Sequence, residues 1–363
     1  MPDGGLRMPS DTTIGRQTII AGDCLEAMRT RLECESVDVV VTSPPYNLNL
    51  QYSLYDDART EADYLAWLVA VAEGIKTVLK PDGSFFLNIA GSNSRPWVPF
   101  ELVVRLRRIG FNLQNHITWV KSITVESESS GHFKPVPGKR FMHHNHEHIF
   151  HLTLTNAVEL DRLSIGIPFQ DKSNIARRGH ARDLRCRGNT WFIPYPTVKT
   201  KAQKFWHPGT FPVELPLWCI YLHGRRDAVV LDPFMGTGST LVAAHYARAS
   251  GIGIDIDPAY IDTARQRVAE AEAKSRIVQL SQDEISLLLR EGETGRGDGG
   301  WQAKIVAFQQ RLNKTTGELA LTDEDQAWIK RYGSRPDDGC WQTQICSAFR
   351  RHVDLSGGIN RLL

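Results

Sequence analysis

The sequence has no C-x-x-C pair. Its six cysteines are Cys24, Cys34, Cys186, Cys219, Cys340 and Cys346. Zinc is not expected from cysteine alone, and free thiols suit a reducing compartment better than a disulfide framework. No run of eighteen apolar residues occurs, so no membrane-spanning helix is expected. Residues 1–16 are polar, rich in Gly and Pro, and lack the apolar core of a signal peptide. The expectation is a flexible N-terminus over 1–16 and a cytoplasmic protein. Gly-Lys-Ser and Gly-Lys-Thr are absent, which excludes a Walker-type phosphate loop.

What is present is ordinary for a soluble globular chain: 363 residues, 41% hydrophobic and 23% charged. That is two domains, or one large domain with additions. The net charge of +2 hides an uneven distribution. Residues 122–206 hold thirteen Lys/Arg against seven Asp/Glu, a local balance of +6. A basic middle in a near-neutral chain points to a localised anionic partner.

Strand and helix patterns alternate from residue 18. Thr18–Ala21 reads as a strand and Cys24–Leu32 as a helix. Val37–Val41 is β-branched and almost uninterrupted, as in a parallel strand buried on both faces. Glu61–Leu79 carries apolar residues at helical spacing. Lys80–Gly83 reads as a turn, Ser84–Ile89 as a strand, Phe100–Arg108 as a helix and Asn115–Val120 as a strand. Beyond Lys121 only one strand stands out, His148–Leu154. Alternation resumes with a helix at Pro212–Leu222, a strand at Ala228–Leu231, a helix at Ser239–Arg248, a strand at Ser250–Ile254 and a helix from Pro258 to about Leu280. This order predicts a doubly wound, mostly parallel α/β sheet. The expected domains are a catalytic domain over 17–285, a flexible linker over 286–300 and a small helical segment over 301–363. That segment holds an echo: Trp301-Gln302-x-x-Ile305 recurs as Trp341-Gln342-x-x-Ile345. Thr322 and Asp325 form a capping-box pattern, which predicts a helix over Asp323–Arg331.

Val229-Val230-Leu231-Asp232 leads into Pro233-Phe234-Met235-Gly236-Thr237-Gly238 and then Ser239-Thr240. This is a strand, a glycine turn and a helix start. Glycines let the backbone turn tightly and approach a ligand. The next strand ends at Asp255, about twenty residues on, where a carboxylate can take the two hydroxyls of a ribose. The pattern describes a nucleoside-cofactor site, although Leu241 stands where the dinucleotide fingerprint has its third glycine. For the loop alone, a tight turn without a ligand stays open.

Thr42-Ser43-Pro44-Pro45-Tyr46 follows the β-branched strand. The two prolines remove N–H donors and stiffen the loop. Carbonyl oxygens, the Ser43 hydroxyl and the Tyr46 ring remain, a set that accepts hydrogen bonds and stacks on something planar. An exocyclic NH2 of a nucleobase meets both demands.

These two motifs together resemble the S-adenosylmethionine-dependent amino-group DNA methyltransferases. The catalytic motif comes first and a basic region separates it from the cofactor loop, as in the family's permuted, beta-type arrangement. His207-Pro208-x-x-Phe211-Pro212 is similar to a second cofactor motif, and Gly22-Asp23-Cys24 to the segment that meets the adenine. The resemblance spans about residues 17–275. It implies a seven-stranded, Rossmann-like sheet with S-adenosylmethionine as cofactor and double-stranded DNA as partner. It places Ser43, Pro44, Pro45 and Tyr46 around a base flipped out of the duplex. It assigns Asp23, His207, Phe211, Pro212, Asp232, Phe234, Gly236, Gly238 and Asp255 to the cofactor. Asp23 is equally an N-cap candidate for the helix behind it. Adenine-N6 members usually carry Asp where this chain has Ser43, which favours cytosine N4. Cytosine-C5 transfer needs a Pro-Cys nucleophile, and no proline here precedes a cysteine.

The basic middle is the expected target-recognition region over 122–206. Arg177, Arg178, Arg182, Arg185 and Arg187 crowd eleven residues, and Lys199, Lys201 and Lys204 follow, with Trp191, Phe192 and Tyr195 between them. Arginines and lysines contact phosphate, and arginines also read base edges. His143, His144, His146, His148 and His151 form a cluster, but amino-group methylation needs no metal and none is expected. The alternatives left open are adenine-N6 methylation and a silent nucleic-acid-binding module of the same fold. A homodimer and a cognate restriction enzyme are compatible with the reading.

Overall fold

The computed structural model describes residues 10–47, 59–167 apart from 126 and 132–138, 169–171, 173–174, 185–195, 210–290 apart from 226 and 276, and parts of 305–350. The chain opens with β1 (Thr12–Ile14), β2 (Gln17–Ala21), α1 (Cys24–Arg31), β3 (Val37–Thr42), α2 (Glu61–Val78), β4 (Leu79–Ile89), α3 (Val98–Arg108) and β5 (Asn112–Val120). A hairpin of β6 (Ser122–Val125) and β7 (Glu128–Gly131) precedes β8 (His146–Thr153) and β9 (Thr190–Phe192). Then come α4 (Glu214–His223), β10 (Val229–Asp232), α5 (Ser239–Tyr246), β11 (Ser250–Asp255) and α6 (Pro258–Ser275). The last elements are β12 (Ile277–Gln279), α7 (Gln282–Leu289) and β13 (Glu318–Ala320).

Nine strands make the main sheet, in the order β1-β2-β11-β10-β3-β4-β8-β5-β9. The inner seven are the expected mostly parallel sheet, with β8 antiparallel to both neighbours. β1 and β9 extend it at the two edges. β1 lies inside the 1–16 segment expected to be flexible and pairs antiparallel with β2. β10 and β3 are adjacent and parallel, and from them the sheet grows outward in both directions. That pair is the topological switch point, where open α/β sheets bind ligands beyond the strand ends.

Alternation along the strands explains the two cores. Val40 packs with α1, α2 and α3, while Val39 and Val41 pack with α4 and α5. All six residues of β3 are buried, as the unbroken β-branched run requires. One of them is charged. Asp38 takes Lys80 at 2.8 Å and Arg225 at 2.7 Å, and its other oxygen takes the Val229 N–H at 2.8 Å.

Two expected boundaries move. Lys80–Gly83 lies within β4 rather than in a turn before it. The pairing steps from Val37–Leu79 to Val39–Ser84, so these residues bulge out of the ladder. The helix expected to run to about Leu280 stops at Ser275, because Ile277–Gln279 pairs with β13.

The chain divides into Met1–Val268 and Ala269–Leu363. The second unit has its own core of Val278, Leu280, Ile285, Leu288, Ile305, Phe308, Leu319, Ile345 and Phe349. Val278, Leu280 and Ile285 therefore belong with the tail, not with the catalytic domain expected to reach 285. Among the described residues of this unit, Ser281 forms a capping box with Glu284 on α7. Asp325 is buried against Arg311 at 2.7 Å, while Thr322, its expected capping-box partner, lies outside the described residues. Ile305 and Ile345, equivalent positions of the Trp-Gln echo, both enter this core, while Trp301 and Trp341 lie outside the described residues. Among the described residues no helix is long and apolar enough to cross a membrane.

Candidate active site

The carboxyl ends of β2, β11, β10, β3 and β4 share one edge of the sheet. Gly22-Asp23 follow β2, Asp255 closes β11, and the glycine loop, Ser43–Tyr46 and Ala90 follow β10, β3 and β4. Gly22 donates its N–H to the Asp255 carbonyl at 2.9 Å. The Asp255 carboxylate accepts the N–H of Gly236 at 2.8 Å and that of Asp257 at 2.9 Å. Burial raises its pKa to about 6, partly offset by those two N–H groups. Gly238 turns the loop into α5 with φ 80, a conformation that disfavours any side chain. A Cβ there would also lie 2.9 Å from that of Ala264.

Leu241 replaces the third glycine of the fingerprint, yet helix and strand still pack closely. The space comes from the strand: a Cβ on Gly253 would lie 3.0 Å from the Leu241 side chain and closer still to Met235. Arg267 of α6 braces the loop from outside, with bonds to the Thr237 carbonyl at 2.6 Å and the Ser239 hydroxyl at 3.2 Å.

Asp232 does not face the cofactor edge as an open carboxylate. It is 1% exposed and accepts Thr42 Oγ1 at 2.6 Å, Thr240 Oγ1 at 2.6 Å and the Phe234 N–H at 3.1 Å. Burial pushes its pKa up to about 6 against the pull of these donors. It ties the catalytic strand to the cofactor loop. Phe234 stays half-buried with its ring 5.3 Å from that of Trp67. Asp23 caps α1, accepting the N–H groups of Leu25 and Glu26. Phe211 and Pro212 precede α4, and Phe211 packs partly against the core on that face. His207 lies outside the described residues.

The Ser-Pro-Pro-Tyr loop is pinned at both ends. The Pro45 carbonyl accepts the Tyr64 hydroxyl at 2.7 Å, so Pro45 holds the loop rather than offering an acceptor. Ser43 donates to the Tyr46 hydroxyl at 2.8 Å, and that hydroxyl donates to Glu147 Oε2 at 2.8 Å. Asn88, at the end of β4, gives one amide bond to the Tyr46 oxygen and one to Glu147, each 2.7 Å. Its Oδ1 is buried with no hydrogen-bond partner among the described residues. Lys121 completes the group with Glu147 Oε1 at 2.8 Å. Burial first, then the Glu147 carboxylate, hold the Tyr46 hydroxyl well above its ordinary pKa. Thr42, Asn88, Lys121, Glu147 and Thr240 were not singled out as site residues by the sequence.

Of the basic residues, Arg185 and Arg187 are described. Arg187 stacks over Trp218 at 4.1 Å and donates to the Ile165 carbonyl at 2.9 Å, so its head group is engaged within the fold. Arg185 is exposed. Arg177, Arg178, Arg182, Lys199, Lys201 and Lys204 lie outside the described residues. Trp191 is a buried core residue, whereas Phe192 is exposed. Among the histidines, His148 bonds His116 at 3.0 Å and stacks on Phe150. Burial and the neighbouring His116 and His146 lower its pKa to about 4. His144 precedes β8 and bonds Asn93. Among the described residues no group of His, Cys, Asp and Glu could hold a metal ion.

A family model described as DNA methylase matches residues 37–266, more than half of the chain. The chain belongs to the N6/N4 DNA methylase family. It transfers a methyl group from S-adenosylmethionine to an exocyclic amino group in DNA. The residues present fit that cofactor: the Asp255 carboxylate lies against the glycine loop, held by the Gly236 and Asp257 N–H groups, and Gly236 and Gly238 keep the backbone bare beside it. Relatives include the Type II methyltransferase M.HpaI of Haemophilus parainfluenzae, 26% identical over 69% of this chain and 74% of that protein. M.SmaI of Serratia marcescens, also a Type II methyltransferase, is 28% identical over 69% of this chain and 90% of that protein. Among solved structures, the methylase shares its fold with the cytosine-N4-specific PvuII DNA methyltransferase. The TM-score is 0.54 at 20% identity, covering 72% of this chain and 89% of that one.

Proposed function

We propose that this methylase acts on N4 of cytosine within a specific double-stranded site. The observation that carries the reading is Ser43: a neutral hydroxyl heads the Pro-Pro-Tyr loop, where adenine-N6 relatives usually carry a carboxylate. The PvuII enzyme of the same fold bears a cytosine-N4 specificity in its name, which supports the same choice.

S-adenosylmethionine, when bound, supplies an electrophilic methyl group. The chain's own residues bind and orient the partners. Asp255 takes the ribose hydroxyls, and the Phe234–Gly238 loop and Asp23 line the rest of the cofactor site with Phe211, Pro212 and His207. Ser43 Oγ and the Pro44 carbonyl accept the two hydrogens of the amino group. Holding both favours the pyramidal nitrogen that attacks, since a conjugated amine is a poor nucleophile. Tyr46 covers the flipped base. Residues 122–206 recognise the target, with Arg177, Arg178, Arg182, Arg185, Lys199, Lys201 and Lys204 meeting DNA. The protein works in the cytoplasm, as a homodimer and alongside a cognate restriction enzyme.

Mass spectrometry of nucleosides from unmethylated genomic DNA treated with the enzyme and S-adenosylmethionine tests the base. N4-methylcytosine is expected. N6-methyladenine overturns the choice of base, and 5-methylcytosine overturns the chemistry.

A further inference from the structure

Glu147 lies on a different strand from the catalytic loop and touches no part of the cofactor loop. Its side chain is 13% exposed, and its two oxygens meet Tyr46, Asn88 and Lys121. The directions of these bonds are constrained. A carboxylate only accepts, so the Tyr46 O–H points to Glu147 at 2.8 Å rather than to its longer alternative, the Asn88 carbonyl at 3.4 Å. Both Asn88 amide hydrogens are already engaged, one on Glu147 and one on the Tyr46 oxygen. The Tyr46 oxygen is then an acceptor toward Ser43, and the single hydrogen of Ser43 points inward to it at 2.8 Å. Ser43 therefore has no hydrogen left to aim outward. Its remaining contact is a long one from Asn88 at 3.4 Å, which leaves lone-pair density for the cleft.

We propose that Glu147 is a positioning residue that sets the polarity of this chain, making Ser43 an obligate acceptor toward the amino group being methylated. Lys121 holds the carboxylate in place through its other oxygen. The inference rests on Ser43 meeting the amino group, as proposed above. It explains why a charged side chain is half-enclosed beside a loop whose own residues are neutral.

Glu147→Gln is nearly isosteric but adds an NH2 that can donate to Tyr46. The chain can then reverse, and the Ser43 hydrogen turns toward the amino group, where donor meets donor. Single-turnover methylation of unmethylated genomic DNA should fall by about 100-fold, the scale of losing one preorganised hydrogen bond at a reacting centre. Affinity for S-adenosylmethionine, by calorimetry, should stay within about twofold of the parent. Tyr46→Phe removes only the relay oxygen and should cost a similar factor. The double variant should be no slower than the slower single one, because both break the same chain. Parent-like rates in Glu147→Gln or in Tyr46→Phe overturn the proposal, as does a double variant whose losses multiply. A parent that yields no methylated nucleoside overturns the functional reading instead.

Discussion

Asp38 and Asp232 sit on neighbouring parallel strands at opposite ends of the sheet, and they are satisfied in opposite ways. Asp38, at the start of β3, is held by two cations and one N–H. Asp232, at the end of β10, is held by two hydroxyls and one N–H. The first is an electrostatic staple at the end away from the chemistry. The second holds equally short bonds without a cation, and burial leaves its pKa near 6. Hydroxyls of Thr42 and Thr240 join the catalytic strand to the helix behind the cofactor loop with no cation on Asp232. The cation at this end, Lys121, is instead paired with Glu147. The two aspartates thus differ in what satisfies them: cations hold Asp38 in place, and neutral donors tie Asp232 between two functional elements.

Substitutions at the two ends should separate these roles. The largest effect belongs to Ser43→Ala. Single-turnover methylation should fall by about 10²–10³-fold, or about 3–4 kcal/mol of barrier, with urea unfolding unchanged within about 0.5 kcal/mol. Asp38→Ala should show the reverse. It leaves the Val229 N–H unpaired, so unfolding free energy should drop by about 2–3 kcal/mol while the rate per folded molecule stays parent-like. A slow but stable Asp38→Ala enzyme would break the comparison.

Asp255→Ala should weaken S-adenosylmethionine binding by about 1–3 kcal/mol. In the parent, a carboxylate with a pKa near 6 loses its charge as pH falls. Affinity measured by calorimetry should therefore drop up to about tenfold between pH 7 and pH 5. The alanine variant should lack this dependence. The smallest effect is that of Asp232→Asn. A raised carboxyl pKa means the folded state binds more protons than the unfolded chain between about pH 4 and pH 6. Its contribution is full below pH 4 and is lost as pH rises through 6. Parent unfolding free energy should fall by about 1–2 kcal/mol over that window. The variant should show a flatter profile in urea titrations at pH 4.5 and pH 7.5.

The sheet was legible because local signals and tertiary context agree. Val37–Val41 reads as a doubly buried strand and is one, and Gly236 and Gly238 mark a turn that needs positive φ. The failures have a common cause. Lys80-Pro81-Asp82-Gly83 carries every mark of a turn, yet the strand resumes on the far side and absorbs it as a bulge. Ile277–Gln279 follows a good helix without a stop signal and is claimed by a partner some forty residues on. β1 and β9 are three residues each, too short to show a period. In the site, single motifs revealed Ser43 and Asp255. Asn88 lies on β4, Glu147 on β8 and Lys121 just past β5, and they gather only when β4, β8 and β5 pair. Arg187 looked like its neighbours in a charge run, and only the fold shows it lying on Trp218.

The fit between helix and strand is a property of several positions read jointly: a Cβ on Gly253 would meet Met235 and then Leu241, and one on Gly251 would also meet Leu241. A bulky side chain on the helix is tolerated because the strand opposite carries none, so neither position is free to change alone. Gly253→Ala should be harmful with Leu241 in place and only slightly milder in a Leu241→Ala background, because Met235 holds the nearer contact. The side chain missing from the strand is room shared by a loop residue and a helix residue, and refilling it displaces both.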